Sequence, residues 1–248
     1  MHNQVIILAA GKGARMGELD LPKILVGFGG KPLVSYLLEE LKGLSDLPTP
    51  VVVVGYKNAL VKELLGQNYI YALQKQQLGT AHAVWAARKK IKAKNVLVLY
   101  GDMPFIKAES LKKLMKLHQN QDAVISMFTA HVPSFSGRYQ SMNNYGRIIR
   151  NKYNMLVKIT EYKDATAKEK EIKEVNPGIY MFKTQWLWEN IDKISNQNAL
   201  QEFYLTDLVE VAIGEGKTIH SFKIFPEEVL GINTKEQLQQ AEKVLSVK

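Results

Sequence analysis

Cysteine is absent from the 248 residues, which excludes disulfides and any thiolate-ligated metal. No apolar run approaches the roughly 18 residues needed to cross a bilayer. The opening residues MHNQVIILAAGKG lack a charged stretch followed by a cleavable apolar segment, so no secretory signal is expected. Internal repeats, low-complexity tracts and linkers are missing too. The five histidines show no metal-ligand spacing, and no Ser, Cys or His stands in a persuasive nucleophile–base arrangement. The expectation is a soluble, cytoplasmic, single domain over 1–248, with no membrane partner. A homo-oligomer is left open.

Positive charge is in excess: 33 Lys and Arg against 24 Asp and Glu, a net +9. The lysines are scattered, and KEKEIK and KIKAK interleave them with acidic or apolar residues. No aromatic-studded basic strand is present. The charge therefore points to a solvated surface with a pocket for small anions, and not to nucleic acid, whose binding would depend steeply on salt.

Short apolar runs alternate with helical patterns. VIILAA (5–10), PVVVVG (50–55), YIYALQ (69–74), NVLVLYGD (95–102) and DAVISMFTA (122–130) read as strands. Between them lie PLVSYLLEELKGL, with Val34, Leu37, Leu38 and Leu41 at helical spacing, NALVKELLG (58–66), TAHAVWAARKKI (80–91, capped by Thr80) and ESLKKLMKLH. With 46% hydrophobic residues the chain can build one sizeable core. The βα rhythm predicts an α/β fold: a Rossmann-like, mostly parallel but mixed twisted sheet with helices on both faces. From about 131 the rhythm changes. IIRN and MLVKITEYKD read as an antiparallel hairpin, EVNPGIYMFK as a strand and QWLWENIDKI as a helix. TIHSFKIF, EVLGIN and the helix TKEQLQQAEKVL follow. An inserted sub-lobe near 131–175 is expected.

In an open parallel sheet, ligands bind outside the carboxyl ends of the strands. The polar signatures fall at those ends: AAGKGAR after the first strand, QKQQLGTAH after YIYAL, GDMP after VLVLY and GIN at the end of a late strand. In LAAGKGARMGELDLPK, the glycines let backbone N–H groups approach phosphate oxygens. Arg15 offers a bidentate fork and Lys23 a compact charge. The stretch is neither a dinucleotide fingerprint nor a P-loop. A plain surface turn with stray cations is the alternative. Asp102 is placed to hold Mg²⁺ against phosphates, or to cap a turn before Pro104. Asn233 is a second oxygen ligand, or the N-cap of the last helix. A glutamine amide in QKQQLGTAHA, with one donor and one acceptor side, complements uracil better than cytosine; the alternative is a polar strand end running into a helix. His82 reads as a structural helix residue.

Taken together, LAAGKGARM…LPK, Q-x-x-QLGTAHA, LYGDMP, YGRI, ITEYKDAT, EVNPGIY, EFYLTD and GIN resemble the uridylyltransferase domain of bacterial N-acetylglucosamine-1-phosphate uridylyltransferases, in the same order and over essentially the whole chain. The resemblance implies a Rossmann-like domain with a small sugar-binding lobe. It implies that UTP and a hexosamine-1-phosphate (N-acetylglucosamine-1-phosphate) give UDP-N-acetylglucosamine, a cell-wall precursor, and pyrophosphate, with Mg²⁺ as cofactor. It places Leu8, Ala9, Ala10, Gly11 and Gly13 on the nucleotide, Arg15 and Lys23 on its phosphates, and Gln74, Gly79 and Thr80 at the uracil. Tyr100, Gly101 and Asp102 would line the centre, and Asp102 and Asn233 would carry the metal. Gly146, Glu161 and Asn176, with Asn233, would face the sugar. Arg15, Lys23 and Asp102 would be catalytic.

Three departures stand out. Pro177 replaces the family's usual Thr or Ser after Asn176, the Arg15–Lys23 spacing is one residue longer, and the loop 133–144 is long. The hexapeptide repeats of the family's C-terminal acetyltransferase β-helix are missing, so that activity is not expected. Two rivals remain from the sequence. One is uridylyl or thymidylyl transfer to another hexose-1-phosphate; the other is a non-catalytic nucleotide-sugar-binding module.

Overall fold

The computed structural model describes residues 2–13, 21–44, 47–121 and 123–245. Its first half runs β1 (Asn3–Ala9), the short pair β2 (Gly27–Phe28) and β3 (Lys31–Pro32), α1 (Leu33–Lys42), β4 (Val51–Val54), α2 (Asn58–Leu65), β5 (Ile70–Leu73), α3 (Thr80–Ala86), β6 (Asn95–Tyr100), α4 (Ala108–Asn120) and β7 (Ile125–His131). The second half adds β8 (Gly146–Arg150), β9 (Leu156–Thr160), α5 (Ala167–Lys170), β10 (Glu174–Asn176), β11 (Tyr180–Lys183), α6 (Thr184–Asn190), α7 (Asp207–Gly214), β12 (Ile219–Ile224) and α8 (Lys235–Leu245).

Continuous runs such as VIIL and VVVV have no polar face, so both faces of their sheet must be covered. That is what the fold does. Among the described residues ten strands form one mixed sheet in the order β5-β4-β1-β6-β11-β7-β10-β8-β9, with β12 paired to β7. The strands β5, β4, β1 and β6 are parallel. Val5, Ile7 and Ala9 of β1 pack into one core layer with Leu37 and Leu41 of α1, Val61 of α2 and Leu111 of α4. Ile6 and Leu8 pack into the opposite layer with Val84 of α3, Leu187 of α6 and Leu208 of α7. The predicted α/β sheet with helices on both faces is therefore present.

Several local expectations are corrected. The helix from Thr80 stops at Ala86, followed by a single 3₁₀ turn at Arg88–Lys90. Thr80 does not cap it; Gly79 holds the cap position, and the Thr80 hydroxyl accepts a hydrogen bond from Leu205 N at 2.9 Å. GIN ends no strand. Pro226–Val229 forms a 3₁₀ turn, and Gly231–Asn233 continues as loop. The helix α7 and the β2–β3 pair were not anticipated. The hairpin predicted over IIRN and MLVKITEYKD is there as antiparallel β8 and β9, and these strands, with β10, extend the main sheet.

The strand expected across EVNPGIYMFK is two strands, and the break matters. Both β10 and β11 pair with β7 on one side. On the other side β11 pairs with β6, while β10 pairs with β8. The sheet thus forks at Pro177–Ile179. Tyr100, at the carboxyl end of β6, and Gly146, at the start of β8, lie on the two prongs.

Candidate functional site: two cavities joined at Lys23, Tyr100 and Asp102

The fork opens onto a cavity of about 320 Å³ lined by Lys23, Tyr100, Asp102, Gly146, Glu161, Asn176 and Asn233, together with Ser141, Asn144, Tyr145, Pro177, Gly178 and Gln237. A second cavity, about 220 Å³, lies over the ends of β1 and β5 and the start of α3. Its walls are Leu8, Ala9, Ala10, Gly11, Lys23, Gln74, Gln77, Gly79, Thr80, Tyr100, Asp102 and Glu202, with Ile24 and Ala83. Lys23, Tyr100 and Asp102 belong to both. The pair is one bent cleft with a charged elbow.

The elbow is built from three loops. Pro22 leads Lys23 into a 3₁₀ turn closed by Leu25 N to Pro22 O at 2.9 Å. The loop after β6 carries Asp102, whose carbonyl accepts from Ile232 N at 3.1 Å and so docks the GIN loop beside it. The Tyr145 hydroxyl donates to Val229 O and accepts from Gly231 N, each at 2.9 Å, fixing the same loop from the other side. Asn233 is not the N-cap of α8. Thr234 plays that part, accepting from Gln237 N at 3.3 Å, while Gln237 Oε1 accepts from Asn233 N at 2.6 Å. The Asn233 side chain is thereby released, and its Oδ1 meets Lys23 Nζ at 2.5 Å. The same ammonium forms an ion pair with Asp102 Oδ2. Two oxygens, one from a carboxylate and one from an amide, converge on one cation.

That donor set suits a hard divalent cation. Among the described residues no three His, Asp or Glu side chains cluster to hold a metal. A cation here would take Asp102 and Asn233 from the chain and complete its shell with phosphate and water oxygens, the habit of Mg²⁺.

Two glycines shape the walls. Gly79 has φ +110°, and a Cβ there would lie 2.5 Å from Phe203 O, so only glycine lets the 201–205 segment close over the start of α3. Gly178 has φ +80°, and a Cβ would meet the Tyr100 ring at 2.3 Å. Tyr100 is thus wedged against the fork, between the two cavities. Burial, then the carboxylates of Glu161 and Asp102, raise its hydroxyl pKa, so it stays protonated and can donate.

Glu161 Oε1 accepts from the Thr206 hydroxyl at 3.1 Å. Burial first, and then repulsion from Asp207, Asp164 and Glu202, raise its carboxyl to about 7, against the pull of Thr206. Asn176 Oδ1 accepts from Gly178 N at 3.0 Å. Gln74 is buried, and its NH₂ lies 3.1 Å from both Gly79 O and His82 Nδ1. The donor side of the amide expected at uracil is engaged within its own loop, and its carbonyl remains. His82 stacks near Trp85, with 6.3 Å between ring centroids, as a structural helix residue.

A model of the MobA-like NTP transferase domain matches residues 5–199. The chain belongs to the MobA-like NTP transferase domain family. Curated relatives of this NTP transferase include the bifunctional protein GlmU of Exiguobacterium sibiricum, 39% identical over 98% of the chain and 53% of the relative, and that of Carboxydothermus hydrogenoformans, 40% identical over 96% of the chain and 52% of the relative. The chain spans about half the length of these relatives. Among solved structures, a UDP-glucose pyrophosphorylase complexed with UDP-glucose superposes with a TM-score of 0.78 at 18% identity, covering 100% of this chain and 99% of that one. A putative glucose-1-phosphate thymidylyltransferase from Bacillus anthracis reaches 0.74 at 19% identity, covering 98% and 94%. At such identities the likeness is one of fold.

The cleft collects most of the anticipated residues. Arg15 lies outside the described residues. Gly13 and Gly101 line neither cavity: Gly13 packs on the Lys23 side chain, and Gly101 N donates to Leu8 O at 3.0 Å, closing the β1–β6 edge. Gln77, Glu202 and Tyr145 were not singled out. Each sits inside a recognisable motif (QKQQLGTAH, EFYLTD and YGRI), but the motif does not say which of its side chains turns inward.

Proposed function

We propose that this chain transfers the uridylyl group of UTP to N-acetylglucosamine-1-phosphate, giving UDP-N-acetylglucosamine and pyrophosphate. The observation that carries the reading is the sharing of Lys23, Tyr100 and Asp102 by two adjoining cavities. The GlmU relatives, similar over almost the whole chain, support the choice of sugar and nucleotide. The nucleotide would occupy the cavity over Leu8–Gly11, Gln74, Gly79 and Thr80, and the sugar the fork at Gly146, Glu161 and Asn176.

An oxygen of the sugar phosphate attacks the α-phosphorus of UTP; the new P–O bond forms as the bond to the β-phosphate oxygen breaks. The nucleophile is already an anion, so no base is needed, and positioning with charge neutralisation does the work. Lys23 carries a positive charge to the point where the substrates meet. Arg15, eight residues earlier in the sequence, would add a second. Tyr100 and Gly178 form the wall that sets the approach of one substrate to the other. Asp102 and Asn233 would hold a divalent cation, Mg²⁺ in this reading, which when bound supplies further positive charge to the phosphates. Both substrates are highly charged and cross no bilayer unaided, which supports a cytoplasmic site of action.

A panel of the four ribonucleoside triphosphates and dTTP against several hexose-1-phosphates, with Mg²⁺ and pyrophosphate release as readout, tests the proposal. UTP with N-acetylglucosamine-1-phosphate is expected to be fastest. Pro177, on the wall of the sugar cavity, is why glucose-1-phosphate belongs in the panel, and dTTP belongs there because hydrogen bonding does not separate thymine from uracil. Faster release from one of those pairs would move the substrate assignment, and no release from any pair would end it.

A further inference from the structure

We infer that Lys23 competes with the divalent cation for Asp102 and Asn233, so that this chain takes up the metal tightly only once a nucleotide's phosphates have drawn the lysine away. The inference rests on the nucleotidyl-transfer reading for the identity of the phosphates, and on geometry for the rest. Lys23 Nζ is bonded to Asp102 Oδ2 and lies 2.5 Å from Asn233 Oδ1. One ammonium and one divalent cation cannot share the same two oxygens, since each repels the other at such range.

The two acceptors are held and the lysine is the mobile arm. Ile232 N on Asp102 O, Gly231 N on the Tyr145 hydroxyl and Asn233 N on Gln237 Oε1 fix the loops that carry Asp102 and Asn233. Lys23 reaches them through a flexible four-carbon stem. With side chains only 16% and 14% exposed, the Lys23–Asp102 pair is screened less than a surface pair. Lys23 also lines both cavities, so a triphosphate there offers the ammonium a second partner. Moving to it frees the two oxygens. Metal and nucleotide would then bind with positive coupling, each raising the affinity for the other by the same factor.

Mn²⁺ serves as the probe, with free ion measured by electron paramagnetic resonance in the absence of nucleotide. If the lysine-bound arrangement fills nine-tenths or more of the free chain, its removal tightens metal binding by about tenfold or more. The expected result is that Lys23→Met binds Mn²⁺ at least that much more tightly than wild type, and that adding Asp102→Ala to Lys23→Met abolishes the gain. Equal or weaker binding by Lys23→Met, or a gain that survives Asp102→Ala, overturns the inference.

The wild-type chain gives a second test independent of any variant's folding. The acylation rate of Lys23, read by mass spectrometry, should rise at saturating Mn²⁺, and an unchanged rate also overturns the inference. Neither measurement involves turnover. Failure of the substrate assignment, seen as absent pyrophosphate release, is therefore distinguishable from failure here.

Discussion

Asp102 and Glu161 are both carboxylates in the cleft, yet their surroundings give them different work. Asp102 would hold the divalent cation, and replacing it with Ala should remove the positive charge that ion brings to where the substrates meet. The rate of pyrophosphate release is expected to fall on the order of 10²–10³-fold, and near-full Mg²⁺-dependent turnover in Asp102→Ala would refute the role. Glu161 lies among Asp164, Glu202 and Asp207, with the hydroxyls of Thr206, Tyr100, Tyr180 and Tyr204 around the same cluster. Its carboxyl titrates at about 7 in the fold against 4.5 ordinarily. Between those values the folded chain keeps a proton that the unfolded chain has lost, so this group's contribution to stability declines as pH rises through that window. Glu161→Gln should therefore unfold at higher temperature than wild type at pH 8, with the difference gone below about pH 4.5. Parallel unfolding midpoints at both pH values would contradict this.

Elements place these groups, and one buried side chain ties several elements together. Arg147, at the start of β8, is fully buried. Its guanidinium donates to Asn143 O at 2.9 Å, to Lys170 O at 3.1 Å and to Tyr145 O, and lies 4.4 Å from the Phe135 ring. It joins the segment 133–144, which is not an open loop but folds into a 3₁₀ helix over Gly137–Asn144, to α5 and the β8 prong of the fork. Arg147→Met keeps the bulk but leaves these carbonyls unpaired, at about 1–3 kcal/mol for each group that finds no new partner. A loss of about 3 kcal/mol is expected, which lowers the unfolding midpoint by roughly 6–12 °C in a chain this long. A change under about 2 °C would show that water or repacking serves those carbonyls equally well.

At this scale the sequence was most readable where local pattern decides. The strands β1, β4, β5, β6 and β7 and the helices α1 to α4 follow from apolar runs and helical spacing, and the β8–β9 hairpin is announced by the change of rhythm after about residue 131. The misses are long-range. Thr80 looks like a helix cap until Leu205, distant in the chain, takes its hydroxyl. LVEVAIG in α7 is apolar on successive residues, a pattern that a buried helix and a strand share. The fork at Pro177 exists because two different strands claim the same edge of 174–183, and no local signal announces that. For the cleft, motif order located the loops, whereas inward-facing Gln77, Tyr145 and Glu202 depend on packing between them.

At the scale of the whole molecule, the sheet is a frame with two functions at its rim. Its parallel half ends under one cavity, its antiparallel half splits to make the other, and the loop after β6 supplies the elbow between them. No helix among the described residues is long and apolar enough to cross a membrane. The central claim is that one nucleotide and one sugar phosphate meet across that elbow, so that the joined product spans both cavities. Calorimetric titration with UDP-N-acetylglucosamine tests this most directly. One product is predicted to bind per chain, and saturating UTP alone, or N-acetylglucosamine-1-phosphate alone, should each block it. Product that still binds beside either substrate would contradict the account, because the two cavities would then not be halves of one site.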